Sequence, residues 1–458
     1  MKVRAGLVAL GALSSGVLMG QEVTVFGTTM AQMWKSEVPG FEQATYAPAT
    51  QFLGIDATKL GSEGLSLHLF GWGRTDLKEA SNFDGTKSNG YLSYGYVKYR
   101  FSQGNGELKA GRFTVSQPSG FEQVDGVSGR TDLRGGFTVS AFAGKPVMYK
   151  VVDPRNQEGY EFQHDLIAGT RLGWRGRLGE LGVSYLMDGS KAAKDLDRPM
   201  PVDYTRRQLG LDMYVSPFAG FDLRGHTTWD QGSHAAVAPG APEHKKLAES
   251  EYKASYRAGQ VTVSAGVSER NFYAYYAGTN LPSLFKQDDR DSFKGWNLNV
   301  TWQTPWSVVA VADYKHTSRA LYGDTNQAGG ELRWANEAKS LMAGVSGHYV
   351  NAAKTLLVDE TSPYKSLKHG VARGWAMAVK GKFTMSVDGI LMRFSQNSPY
   401  TKGQRYLYEG VASLGYQAME HVKVSGDVSY GKTAFAKGET RGLLRAEYRF
   451  GMSKKGGK

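Results

Sequence analysis

Apolar and polar positions alternate along most of this chain. Near the C-terminus, Val422, Val424, Gly426, Val428 and Tyr430 share one face, and His421, Lys423, Ser425, Asp427 and Ser429 share the other. A period of two is the mark of a strand with two unlike faces. The last such segment sets Leu444, Ala446, Tyr448 and Phe450 against Arg445, Glu447 and Arg449. Earlier ones oppose Leu65, Leu67 and Leu69 to Ser66 and His68, and Phe221, Leu223 and Trp229 to Asp222, Arg224, His226 and Asp230. Trp296, Leu298, Val300 and Trp302 oppose Asn297, Asn299, Thr301 and Gln303, and Trp375, Met377 and Val379 oppose Lys380 and Lys382. These segments reach about ten residues, the length that crosses a bilayer at a tilt. Strands of soluble sandwiches run to about 5–6. Aromatic residues gather at the ends of the apolar face, as in a barrel that turns that face to lipid and keeps the polar one for its lumen.

The connections alternate in length. Short turns fall at 102–106, 177–180, 216–218, 258–260, 304–305 and 418–420, and longer polar stretches at 189–202, 232–245, 277–292, 318–328, 351–370 and 432–439. Short turns on one side and long loops on the other are the habit of outer-membrane barrels. The pattern predicts an all-β fold, a single transmembrane antiparallel β-barrel of about 22 strands within a range of 18–22. The strand count should be even, and it closes at 22 only if Val147–Val152 adds a short strand. The last strand ends on Tyr448 and Phe450, an alternating aromatic ending common in this class, though Arg445 stands where a glycine is often seen.

Composition agrees. Glycine is abundant at 58 residues, proline is sparse at 14, and tyrosine leads the aromatics at 25. The mean hydropathy of −0.41 is too low for a bundle of membrane helices, but suits a barrel in which only alternate residues meet lipid. The chain has no cysteine, which excludes disulfides, thiolate metal sites and covalent c-type haem attachment. Lys2 and Arg4 followed by the short apolar run Ala5 to Met19 predict a cleaved signal peptide over 1–20. The barrel then spans 21–450, and 451–458 forms a basic periplasmic tail. The expected location is the bacterial outer membrane, with lipid as an obligatory partner. No nucleic-acid-binding motif accompanies the net charge of +12, which reflects either solubility and the tail or a pore that attracts anions.

Four words in the stretch from Tyr91 to Val147 are distinctive: YLSYGYVKYRF, GELKAGRF, QVDGVSGRTDL and SAFAGKPV. This stretch resembles the porin-like barrels of metal-reducing bacteria, some of which partner multihaem cytochromes in outer-membrane electron conduits. The resemblance implies a barrel that encloses or passes something. Without cysteine, any haem would belong to the partner.

A barrel this wide has room for a water-filled lumen. The strand pattern begins at Val23, so no plug domain fits between it and the signal peptide, and something else must limit the leak. One candidate is an inward loop from Ser116 to Arg134, carrying Glu122, Asp125, Arg130, Asp132 and Arg134; the other is a partner protein in the lumen. Charges of both signs on such a loop would form a constriction with a transverse field. The alternation assigns Arg74, Arg224, Lys253, Arg257, Arg270, Lys315, Lys380, Lys382, Lys423, Arg445 and Arg449 to the lumen, against Asp222, Asp230, Asp313, Asp388, Asp427 and Glu447. That excess of cations predicts a channel for small, preferably anionic solutes. The alternatives are a sheath for a cytochrome and a barrel hydrolase. For the hydrolase, Ser425, Asp427 and His421 share a face but make no distinctive motif, so no catalytic, cofactor or metal residue is expected. The nine histidines lack metal-ligand spacing.

Overall fold

The computed structural model describes residues 22–36, 44–78, 86–147, 163–191, 204–231, 247–276, 291–352, 368–395, 405–432 and 438–453. The expected signal peptide and most of the expected long loops lie outside these residues. One antiparallel sheet runs in chain order from Glu22–Ser36 to Glu439–Ser453. Those two strands pair with each other from Glu22 opposite Ser453 to Trp34 opposite Arg441, which closes the sheet and leaves it no edge. Segments Ala44–Tyr46 and Pro48–Thr58 both pair with the first strand. They are two pieces of one wall strand, interrupted at Ala47, whose N–H donates to the Asp76 carboxylate at 3.0 Å. The wall therefore has 22 strands.

The even count is reached by a different route from the one the sequence suggested. Val147 follows the strand Phe137–Pro146 rather than opening another, and 148–152 lie outside the described residues. The strand that completes the wall is Gly120–Asp132, inside the stretch expected to be a loop. The expected long loop at 318–328 is a tight hairpin between Val308–Arg319 and Gly323–Ala335. Its polar residues pair across the strands, Thr317 with Thr325 and Lys315 with Gln327. The final strand continues past Phe450 through Ser453.

Outward positions carry the lipid face. On the strand Tyr406–Met419 they read Tyr406, Tyr408, Gly410, Ala412, Leu414 and Tyr416, with a small and aliphatic centre between aromatic ends. Ten residues separate Tyr406 from Tyr416, about 33 Å along a strand and about 25 Å once tilted, the height of an outer-membrane apolar band. Tyr99, Trp174, Trp302, Trp334 and Phe450 are likewise exposed near the short-turn end of their strands. Most apolar side chains thus serve the lipid boundary. A compact buried cluster, Phe113, Val124, Phe142, Ile167 and Leu186, is an exception, and it lies inside the barrel.

Candidate functional site: a hairpin docked in the lumen

The strand Glu107–Gln117 pairs with Ser88–Arg100 only as far as Arg112 opposite Gly95. Its partner Gly120–Asp132 pairs with Phe137–Pro146 only from Val124 onward. The two strands stay paired to each other to the tip, Gln117 opposite Gly120. Residues 113–123 thus leave the wall together and fold inward as a hairpin. The inward element is shorter than the expected Ser116–Arg134 loop, begins earlier, and is regular rather than irregular.

Glycines make the departure possible. Gly111 has φ +124°, and a Cβ there would lie 2.3 Å from the Gly95 carbonyl oxygen. Opposite it Gly126 pairs with Gly144, and a Cβ on Gly126 would lie 2.1 Å from the Ala143 oxygen. One face of the hairpin, Phe113, Val115 and Val124, packs on the inward side chains Phe142, Ile167 and Leu186 of the wall. The tip is tied down by polar contacts. The Ser119 N–H donates to Ser184 Oγ at 3.3 Å, and Thr228 Oγ1 donates to the Pro118 carbonyl at 2.7 Å. The other face, with Thr114, Ser116 and Gln123, looks onto a cavity of about 1170 Å³. The Tyr91 hydroxyl donates to the Gln123 amide oxygen, and the Gln123 amide nitrogen donates to the Ser93 carbonyl.

The expected lumen residues are spread around the circumference. Arg74, Arg224, Arg257, Arg270, Lys423, Arg445 and Arg449 fall on the inward face of the register. Glu122 lines the cavity from the hairpin, and Asp125 at its root is paired with Arg112 at 2.7 Å. Arg130 and Asp132 belong to the wall, 3.7 Å apart, and Arg134 lies in the turn Arg134–Gly136 at the short-turn end. Lys380 and Lys382 are placed elsewhere. Lys380 shares the outward face with Ala376 and Ala378, and Lys382 sits in the two-residue turn beside Gly381. Trp375 and Met377 face inward, opposite Asp388 and Ser386. Both faces of that strand are apolar, so the larger side chains suggested lipid, whereas small alanines meet it.

Carboxylates, some of them missing from the sequence assignment, pair with several inward cations. Arg171 reaches Asp212 at 2.6 Å and Glu180 at 3.2 Å. Glu249 takes Arg270, and also His226 at 3.4 Å. Arg445 lies between Asp427 and Glu447 at 3.5 and 3.4 Å. Arg224 and Lys253 are direct cross-strand neighbours, and neither has a carboxylate at ion-pair distance among the described residues.

The inner wall before the hairpin is aromatic. Phe70 stacks with Phe26, Phe52 and Tyr94 at centroid separations of 6.1, 6.4 and 5.5 Å, and Trp72 and Tyr91 pair across the same strands. The sequence signal was Phe70-Gly71-Trp72-Gly73, in which both rings share the face of His68 and Arg74 and both glycines point outward.

Below these rings, His68 Nδ1 contacts Asp56 at 2.7 Å and His68 Nε2 contacts Ser66 Oγ at 3.0 Å. The order is that of a hydrolytic relay. The neighbouring strand N–H groups are committed to the sheet ladder, and the contacts link the strands Pro48–Thr58 and Leu65–Asp76. Ser425, Asp427 and His421 are not brought together: Asp427 faces Arg445, and the His421 ring lies edge-on to Phe450, 6.2 Å away.

A closed wall, an apolar outer band and a polar, hairpin-narrowed interior define a transmembrane β-barrel of the bacterial outer-membrane class. The ferric enterobactin receptor PfeA of Pseudomonas aeruginosa, solved in complex with enterobactin, has a similar fold, with a TM-score of 0.59 at 10% identity over 93% of this chain and 81% of that one. The outer membrane protein OpdK of the same organism aligns over 95% of this chain and 100% of its own, at 10% identity and a TM-score of 0.41. No family model and no curated protein matches the sequence.

Proposed function

We propose that the protein is an outer-membrane channel for small solutes, with a preference for anions. The observation that carries this reading is the docked hairpin. An apolar core holds it against one side of the lumen, and its polar face borders an open cavity instead of sealing it. The anion preference rests on Arg224 and Lys253, adjacent cations on the cavity wall while Arg171 and Arg270 are engaged with carboxylates. In planar bilayers the purified barrel is expected to give a steady conductance with a reversal potential displaced toward that of chloride in a KCl gradient. Cation selectivity would refute the preference, and silence would refute the channel.

A second reading is favoured by a separate observation. The inner face of the later strands carries Met342, Val371, Trp375, Met377, Ile390, Val411 and Leu443. Apolar side chains facing a wide lumen suit an occupant, such as a multihaem cytochrome sheathed by the barrel. Silence in the bilayer together with a haem-staining protein that co-purifies would support the sheath.

A further inference from the structure

The seam removes the outer edges of the sheet, but the hairpin opens a local one within the wall. The strand Ser88–Arg100 is paired on one side with Leu65–Asp76 from end to end. On its other side the ladder to Glu107–Gln117 stops at Gly95, and among the described residues no strand pairs with 88–94 on that side. The next wall strand, Phe137–Pro146, pairs with the hairpin only as far as Val124, and the Val147 N–H donates a last bond to the Gln123 carbonyl at 2.8 Å. Where the wall is unbroken, three spacings of about 4.8 Å separate these two strands, about 14 Å between their axes, with two strands filling the interval. Above Gly95 both of those strands have left it.

Strand backbone that loses its partner must find other ones. Side chains at the root of the hairpin supply them. Arg112 Nη1 donates to the Leu92 carbonyl at 3.0 Å, and the Gln123 amide nitrogen donates to the Ser93 carbonyl. The break lies within the apolar band. Gly95 stands four residues above the exposed Tyr99, about 13 Å along the strand and about 10 Å once tilted, in a band about 25 Å tall. Its sill is charged. Asp125 and Lys145 face each other across the strands, on the outward face that carries Val127 and Ala143 one step below, and Asp125 holds Arg112 at 2.7 Å. Charges at this depth are costly against continuous lipid, but not beside an opening that water reaches from the lumen.

The edge itself is apolar. Leu92 is exposed there, on the lipid side with Gly71. Directly behind it begins the lumenal cavity, lined at this end by Tyr91, Ser93, Gln123 and Val147. Farther in, Phe121 of the hairpin lines the cavity and is 74% exposed. A ring so open to water adds little to packing, and an apolar body in the cavity would cover it.

We propose that the wall is open sideways above Gly95, and that this opening admits the acyl chain of a membrane amphiphile from the outer leaflet into the lumenal cavity. Recognition rests on the width and the apolar edge of the opening, not on charge. The route is separate from passage along the barrel axis, and its test needs no conductance.

The chain lacks cysteine, so single-cysteine variants each carry one bimane label. The full-length barrel is placed in vesicles of phosphatidylcholine brominated along its acyl chains, and quenching is read against unbrominated vesicles. Val345→Cys reports the lipid face, and Ser346→Cys the lumen of the unbroken wall. Ser93→Cys at the edge and Ser116→Cys deeper on the hairpin both line the cavity. Each should be quenched about threefold more strongly than Ser346→Cys, because lumen positions of a closed wall do not meet acyl chains. Leu92→Arg puts a cation on the edge and should lower both signals about twofold, with Val345→Cys unchanged. Leu92→Gln takes its place if the arginine prevents folding, as judged by heat-modifiable mobility. Quenching at Ser116→Cys no greater than at Ser346→Cys overturns the entry of a chain. So does quenching that the position 92 variants of the folded barrel leave unchanged. Silence or cation selectivity in planar bilayers refutes the channel proposed above and leaves this result standing.

Discussion

Two stretches of the same wall give the lumen different interiors. From Pro48–Thr58 to Ser292–Gln303 the inner face is crowded by stacked rings, a docked hairpin and a short helix whose Phe272 and Ala274 are buried. From Val308–Arg319 to the seam, inward Met342, Trp375, Ile390 and Leu443 meet no docked element among the described residues. The strands of the two regions are alike in length and pairing. What differs is where the chain leaves the wall. In the crowded region a pair of strands breaks from both neighbours at once and turns its apolar face onto the wall it left. Here the barrel acquires a buried apolar cluster where part of it folds back on itself.

The largest expected effect follows from that core. Val124 is fully buried between the hairpin and the wall. Val124→Asp places a carboxylate among Phe113, Phe142 and Ile167, at a cost of several kcal/mol unless it escapes to water. The hairpin can escape, because 113–123 are held by packing, by the two tip contacts and by the bonds of Gln123, while the ladder to the neighbouring strands ends at Arg112 and Val124. Single-channel conductance should rise several-fold, and new protease cleavage should appear near Pro118, with the heat-modifiable mobility of a folded barrel retained. An unchanged conductance would mean that the hairpin does not restrict the passage.

Most of the wall could be read from the sequence, because alternation holds wherever one face is apolar and the other polar, as from Val422 to Tyr430. It misleads where both faces are apolar. At Trp375-Ala376-Met377-Ala378 the register puts the large residues inward and the alanines to lipid. At Ser116–Arg134, proline, glycine and mixed charges suggested an irregular inward loop and hid two paired strands, of which only the end near the turn leaves the wall. Its docking surface also escaped notice, because Phe142, Ile167 and Leu186 come from three different wall strands and form a cluster only when the hairpin covers them. The cation count erred for a related reason. Glu180 and Asp212 lie in segments whose faces were left unassigned, Glu249 shares the face of Lys253 and Arg257 but was left out of the count, and their partners are neighbours that only the register reveals.

A test of intermediate size uses the later strands, where no docked element complicates the outcome. Val345 faces lipid near the middle of Leu341–Ala352, and Ser346 faces the lumen. Val345→Arg should lower unfolding stability by about 2–4 kcal/mol, the cost of a guanidinium near the bilayer midplane, as read from urea titration in lipid vesicles. Ser346→Arg should stay within about 0.5 kcal/mol, as a solvated substitution does. Equal losses would place both side chains in the same environment and break the assignment of faces throughout this region.

The smallest effect returns to glycine, which is common in both regions for different reasons. At Gly126 an added Cβ would meet the Ala143 carbonyl at 2.1 Å, and the obstacle is backbone, which cannot swing away as a side chain would. Gly126→Ala should therefore cost about 1–3 kcal/mol, the usual range for overpacking. It should also raise open-channel noise, because the strain falls where the hairpin leaves the wall. At Gly410 nothing lies within 4 Å of the added carbon, and the position faces lipid between Tyr408 and Ala412. Gly410→Ala should be neutral or stabilising by about 0.5 kcal/mol, since alanine loses less backbone freedom on folding. Urea midpoints of the two variants, measured side by side in the same vesicles, decide the matter. If they move together, the glycines serve one common purpose, such as a smooth lipid face. If only Gly126→Ala falls, close backbone approach at the root of the hairpin is what requires glycine in the crowded region.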